Sequence, residues 1–113
     1  MTNRVVTLDG TTLNTLDVHD VAHGLATVTI SDDAMQRVHI ARSVVDRIVE
    51  GRETVYGINT GFGSLVHTQV SADEVERLQL KLIRSHATGL GPELPTECVR
   101  AMMCVRLNSL VKG

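Results

Sequence analysis

The spacing of apolar residues changes along the chain, and the changes mark the elements. Arg4–Leu8 (RVVTL) reads as extended, and Asp9-Gly10 after it is a turn signal. A second β-like run, Ala26–Ile30 (ATVTI), follows Gly24, and residues 16–23 between the two runs predict a short helix stopping at that glycine. The two strands are expected to pair as a minor sheet. From Ser31 the period lengthens. Met35, Val38, Ala41, Val45 and Ile48 recur at three and four and form one helical stripe. Ser31 is the cap of this helix and Gly51 its stop, while Asp32 and Asp33 put negative charge on the first turn, where the backbone dipole favours it.

Residues 55–65 (VYGINTGFGSL) break the pattern. Gly57, Gly61 and Gly63 carry too much backbone entropy for a regular helix or strand, so this is a loop with a specific task. Ser71-Ala72-Asp73-Glu74 then has the form of a capping box, with Ser71 and Glu74 each satisfying the other's backbone N–H. Val75, Leu78, Leu82 and Ile83 carry an apolar face towards an end near Thr88, ahead of Gly89 and Gly91. Pro92 and Pro95 punctuate a link. Thr96 is placed to cap a last helix bearing Val99, Met102, Met103, Val105, Leu107 and Leu110. That helix is apolar around much of its circumference, more than a surface helix needs. Because the sequence ends straight after it at Gly113, the natural polypeptide is expected to continue.

Composition bears on the fold class. A length of 113 residues suits one small domain, and 42% hydrophobic with 21% charged residues suits a globular chain rather than a disordered one. One Tyr, one Phe and no Trp leave aliphatic side chains to build the core, which favours packed helices over a β-sandwich. The expected fold is mainly α, with two short N-terminal strands and three main helices. Net charge is −2 with Lys and Arg scattered, so no nucleic-acid surface is indicated. No apolar run approaches the roughly 18–20 residues of a membrane helix. The first residues, with Asn3, Arg4 and Asp9, lack a signal-peptide core, so a cytoplasmic location is expected. Cys98 and Cys104 are six apart on a helical stretch and point about 120° away from each other. They are expected to be reduced and structural.

Three clusters carry candidate chemistry. The glycine loop superficially resembles a phosphate cradle, but Ser64-Leu65 follows Gly63 where a P-loop needs Lys-Ser/Thr, and Val66 stands where a dinucleotide fingerprint needs glycine. Tyr56, the chain's one tyrosine, opens this loop and is a candidate acid–base group. His19-Asp20-Val21-Ala22-His23 mimics a zinc HExxH motif with Asp for Glu, yet no third ligand lies at useful spacing, and a solvated helix face is the better reading. Arg84-Ser85-His86-Ala87 places an imidazole at a helix C-terminus, where it suits the dipole in any case. No metal or diffusible cofactor is indicated.

Together these residues resemble one family. Val55-Tyr56-Gly57-Ile58-Asn59-Thr60-Gly61-Phe62-Gly63 is similar to the signature near the N-terminus of the histidine and aromatic amino-acid ammonia-lyases. The likeness continues through Leu78-Gln79, through Leu82-Ile83-Arg84-Ser85-His86-Ala87-Thr88-Gly89, and through Arg106-Leu107-Asn108-Ser109-Leu110. It covers residues from Ser31 onward, and more weakly those before. The resemblance implies the N-terminal segment of a mostly helical enzyme, homotetrameric, with active sites built from several subunits. It implies a methylidene-imidazolone electrophile formed from an internal Ala-Ser-Gly. That ring captures the substrate amine while a base removes a β-carbon proton and ammonia leaves. By the resemblance Tyr56 is that base, Gly63 lines the pocket, and His86 of the Ser85-His86 pair binds the substrate ring. The Ser-His pair points to deamination of L-histidine to trans-urocanate and ammonia, the first step of histidine degradation. A tyrosine ammonia-lyase or tyrosine aminomutase is the alternative, since the same imidazole binds a phenol. A non-catalytic helical interaction module is the alternative from another class. The sequence holds no Ala-Ser-Gly. Residues 1–113 alone are therefore expected to be inactive, with the electrophile-forming segment outside them, and their uncovered apolar faces are expected to drive self-association.

Overall fold

Residues 4–51, 53–65 and 67–113 are described in the computed structural model of the chain. Asn3 and Val66, which entered the readings of the N-terminus and the glycine loop, lie outside them. The order is β1 (Arg4–Leu8), α1 (Thr15–Ala22), β2 (Ala26–Ile30), α2 (Asp32–Glu50), a 3₁₀ turn at Gly63–Leu65, α3 (Ala72–His86) and α4 (Thr96–Leu110). Two compact units result, one running up to Ala41 together with Pro92–Gly113, the other Arg42–Gly91, so that the division falls inside α2.

In the first unit β1 and β2 pair in parallel, Val6 opposite Val28 and Leu8 opposite Ile30. Parallel pairing requires a crossover, and α1 supplies it. Along β1 the side chains obey the strand period of two: Val6 and Leu8 are buried while Val5 and Thr7 are exposed. The core comprises Val6, Leu8, Ala26, Ala34, Cys104 and Val111, with Leu13, Val18, Val21 and Ile30 packed around it. α1 packs against both α4 and β2.

The turn after β1 is held by one carboxylate. Asp9 accepts from the Thr12 hydroxyl at 2.7 Å and from the Thr11 and Thr12 N–H groups at 2.7 and 2.8 Å. These bonds, the Thr12 hydroxyl foremost, hold its carboxyl well below the usual carboxylate range. Gly10 takes a positive φ of 88° there and donates its N–H to the Asn108 side chain on α4 at 3.0 Å.

The helix ends agree with the sequence in part. Ser31 does cap α2, its hydroxyl accepting from the Ala34 N–H at 3.3 Å, and all five stripe residues are half-buried. The Gly51 N–H closes the helix on the Arg47 carbonyl at 2.9 Å. α1 begins one residue earlier than the sequence indicates because Asn14 forms a full capping box with Asp17. At α3 the expected capping box is absent. Ser71 is the N-cap residue, but its hydroxyl donates to the Glu74 carboxylate at 3.1 Å, and neither side chain reaches the other's backbone. A carboxylate is the strongest acceptor within reach of that hydroxyl, which explains the substitution. The helix also closes at His86, short of Thr88. Thr96 is not a cap either; the Pro95 carbonyl takes the first helical bonds, from Cys98 and Val99, so Thr96 is already helical. Cys98 is exposed and Cys104 buried, and both are free thiols.

Candidate active site

The glycine loop lies in the second unit and is organised around a polar centre. Asn59 and Thr60 are buried, at 4% and 1% exposure. The Asn59 carboxamide oxygen accepts from the Val55 N–H at 2.8 Å, and its nitrogen donates to the Glu53 carbonyl at 2.7 Å. One side chain thus ties the start of the loop to its middle. Thr60 pairs with Gln69 as an antiparallel bridge, with Gly61 N–H to Thr68 O at 3.0 Å and Val70 N–H to Asn59 O at 2.9 Å closing the neck. From α3, Gln79 donates to the Gly57 carbonyl at 3.1 Å.

Each glycine has its own reason. Gly57 and Gly63 sit at positive φ, 79° and 58°. Gly61 does not; a Cβ there would come within 2.6 Å of the Leu65 side chain and carbonyl oxygen, so the 3₁₀ turn that follows occupies the space. The resemblance implies that Gly63 lines the pocket, which makes the surroundings of a Cβ placed there of interest. Within this chain nothing lies within 4 Å of that point, and its backbone angle is what asks for glycine.

Tyr56 stands at the head of this pinned loop, 60% exposed, with its ring edge-on to Phe62 at 6.1 Å and 72°. His86 is exposed at the end of α3, where its Nδ1 lies 2.8 Å from the Leu82 carbonyl and 3.1 Å from the Ser85 hydroxyl. The described residues therefore bring Tyr56, Gly63 and His86 into one unit without linking them by hydrogen bonds or ring contacts. A cleft in the same unit is lined by Val45, Val49, Ile58, Val75 and Gln79, and none of the three belongs to it. The chemistry on offer is a solvent-presented phenol on a braced loop and an oriented imidazole.

Outside this unit, His19 and His23 stack at 4.2 Å and 27° on α1. The His23 Nδ1 is engaged by the His19 carbonyl at 2.9 Å, and the His19 Nδ1 by Asp20 at 3.2 Å. His19, with Arg4 next, holds the Asp20 carboxyl below its ordinary range. Among the described residues no group of three or more His, Cys, Asp or Glu side chains is placed to hold a metal.

Sequence reasoning gave no role to Asn59, Thr60 or Gln79. All three lie within the strings that carried the family resemblance. Two uncharged polar residues, Asn59-Thr60, in the middle of a glycine loop were the available sign of a buried hydrogen-bonded centre.

Comparison with known proteins places this geometry. The family model "Aromatic amino acid lyase" matches residues 13–113. A histidine ammonia-lyase of Streptococcus pyogenes is 46% identical over 110 residues, covering 97% of this chain and 21% of that protein. The chain thus spans about a fifth of the length of the curated relatives it matches. Among solved structures, histidine ammonia-lyase from Trypanosoma cruzi superposes with a TM-score of 0.85 at 45% identity, over 97% of this chain and 21% of that one. Tyrosine aminomutase from Streptomyces globisporus gives a TM-score of 0.87 at 35% identity, over 96% and 20%.

Proposed function

The chain belongs to the aromatic amino acid lyase family, and from that premise we propose that it is the segment of an ammonia-lyase that supplies the proton-accepting tyrosine and a substrate-ring contact. The observation that carries the reading is Tyr56, held exposed at the head of a loop whose neck and floor are fixed by Asn59, Thr60 and Gln79. Such bracing keeps a general base in place while the turn that carries it stays accessible to substrate.

The proposed reaction is the non-oxidative deamination of L-histidine to trans-urocanate and ammonia. Tyr56 as phenolate accepts a proton from the substrate β-carbon. The C–H electron pair becomes the new C=C bond, and the C–N bond breaks with its pair on the departing nitrogen. His86 holds the substrate ring so that this proton faces the phenolate. In this family reading, a methylidene-imidazolone ring would make the amine a better leaving group. This chain contains no Ala-Ser-Gly from which to form that ring, so its own part is confined to proton transfer and ring recognition. Residues 1–113 alone are accordingly inactive, and a cytoplasmic homotetramer is the working form.

Incubating the full-length protein with L-histidine and, separately, L-tyrosine tests this, with the conjugated product followed by ultraviolet absorbance and ammonia by a coupled assay. Urocanate from histidine, with kcat lowered about 10²–10⁴-fold by Tyr56→Phe, is the expected result. The likeness to a tyrosine aminomutase favours one second reading, in which the same phenolate serves a tyrosine substrate. Coumarate or β-tyrosine from L-tyrosine, with histidine untouched, selects it.

A further inference from the structure

The Ser85-His86 step fixes more than the place of an imidazole. The His86 Nδ1 lies 2.8 Å from the Leu82 carbonyl oxygen. A carbonyl only accepts, so the ring hydrogen is on Nδ1. The Ser85 hydroxyl lies 2.8 Å from the same carbonyl and spends its one proton there. Its oxygen is then left to accept from Nδ1 at 3.1 Å. A neutral imidazole has one donor and one acceptor nitrogen, so Nε2 keeps a lone pair. An unconstrained histidine side chain favours the opposite arrangement, with hydrogen on Nε2.

We propose that Ser85 is a positioning residue which, with the Leu82 carbonyl, locks His86 in the Nδ1–H tautomer, so that Nε2 meets the substrate as a hydrogen-bond acceptor. The proposal rests on the reading of His86 as the substrate-ring contact and deepens it. An acceptor at that point selects side chains that end in a donor, an imidazole N–H or a phenol O–H. A bare phenyl ring leaves Nε2 unpaired once water is excluded, and is bound worse for that reason. Without the lock the ring turns a donor outward, which suits a different set of substrates.

Two measurements test it. The first is the nitrogen spectrum of the 113-residue chain labelled with ¹⁵N-histidine, the His86 ring assigned by its loss in His86→Gln. Hydrogen on Nδ1 and a bare Nε2 are expected, moving towards the opposite tautomer in Ser85→Ala. The second is kinetics of the full-length protein. Ser85→Ala should raise KM for the ring-donor substrate about tenfold, the worth of one neutral hydrogen bond, and by more than it lowers kcat. Ser85→Thr, which keeps the hydroxyl, should restore it. Hydrogen on Nε2 in the unsubstituted chain overturns the proposal, as does a Ser85→Ala protein with unaltered KM. The kinetic arm decides if the isolated chain loses α3. A protein that keeps Nδ1–H but deaminates neither histidine nor tyrosine would instead refute the functional reading, and the substrate half of this proposal with it.

Discussion

Gly61 and Gly63 are two residues apart in the same loop and are glycines for different reasons, which gives them different penalties. Gly61→Ala drives a methyl group to within 2.6 Å of Leu65, an overpacking that is expected to cost about 1–3 kcal/mol. Gly63→Ala meets open space but must hold φ at 58°, which costs about 1–2 kcal/mol by left-handed strain alone. Urea melts of the two variants should place Gly61→Ala at or below Gly63→Ala. The reverse order would mean that the turn carrying Leu65 yields freely. Asp9 gives a pH prediction. Bonds from Thr12 and Thr11 depress its folded-state pKa. The stabilisation is therefore fully present above the ordinary aspartate value near ~3.9, and is lost as pH falls from there through the depressed folded value. Asp9→Ala should lower the urea midpoint at neutral pH and by progressively less on acidification; a constant difference would refute the linkage. The sequence marked Asp9-Gly10 as a turn, but turn propensity alone does not show that both threonines after it would donate to one carboxylate.

At the scale of the elements, what was legible followed from period and what was not followed from competition between side chains. β1, β2 and the α2 stripe stand where alternation and three-four spacing put them, because burial on one face leaves few other solutions. The parallel sense of the sheet was not legible as a pairing rule; it follows once α1 is seen as the crossover. Caps were read less well, since several oxygens contend for the same few N–H groups. Asn14 and Asp17 won a reciprocal box that the sequence reading passed over, while Ser71 and Glu74, a better-looking box, bonded to each other. These two sites therefore reverse the sequence ranking. Asn14→Ala should destabilise by about 1 kcal/mol, and Ser71→Ala by much less, as its hydroxyl reaches no backbone N–H. Equal losses in thermal melts would mean that Ser71 caps α3 after all. The candidate site was legible to the same degree. Tyr56, Gly63 and His86 could be singled out as candidates because they stand in a recognisable string. The supporting bonds of Asn59 and Gln79 depend on which backbone groups the loop leaves unpaired, and that is decided only in three dimensions.

Across the whole molecule, apolar burial is unevenly shared. Every fully buried apolar side chain among the described residues belongs to the first unit, whereas in Arg42–Gly91 the buried side chains are those of Asn59 and Thr60. The second unit is thus held by hydrogen bonds and half-buried faces rather than by a dry core. The first unit is not self-sufficient in this respect either. On α4, Met102 and Val105 are 62% and 53% exposed, and with Ala101 they line a shallow, largely apolar depression in which Arg106 and Ser109 are the polar members. Water contact over such a surface costs about 25 cal/mol per Å² of apolar area, and a second copy of the helix is the nearest means of relieving it. In dilute solution the 113-residue chain should therefore scatter light as a dimer or larger species. Met102→Glu combined with Val105→Glu places two like charges in the depression and should shift the chain to monomer with its far-ultraviolet helical signal intact, because neither side chain is buried in the core. A monomer before substitution would show that α4 tolerates its exposure. Unchanged association after substitution would move the contact to another exposed apolar group, with Leu16 and Leu25 the next to replace.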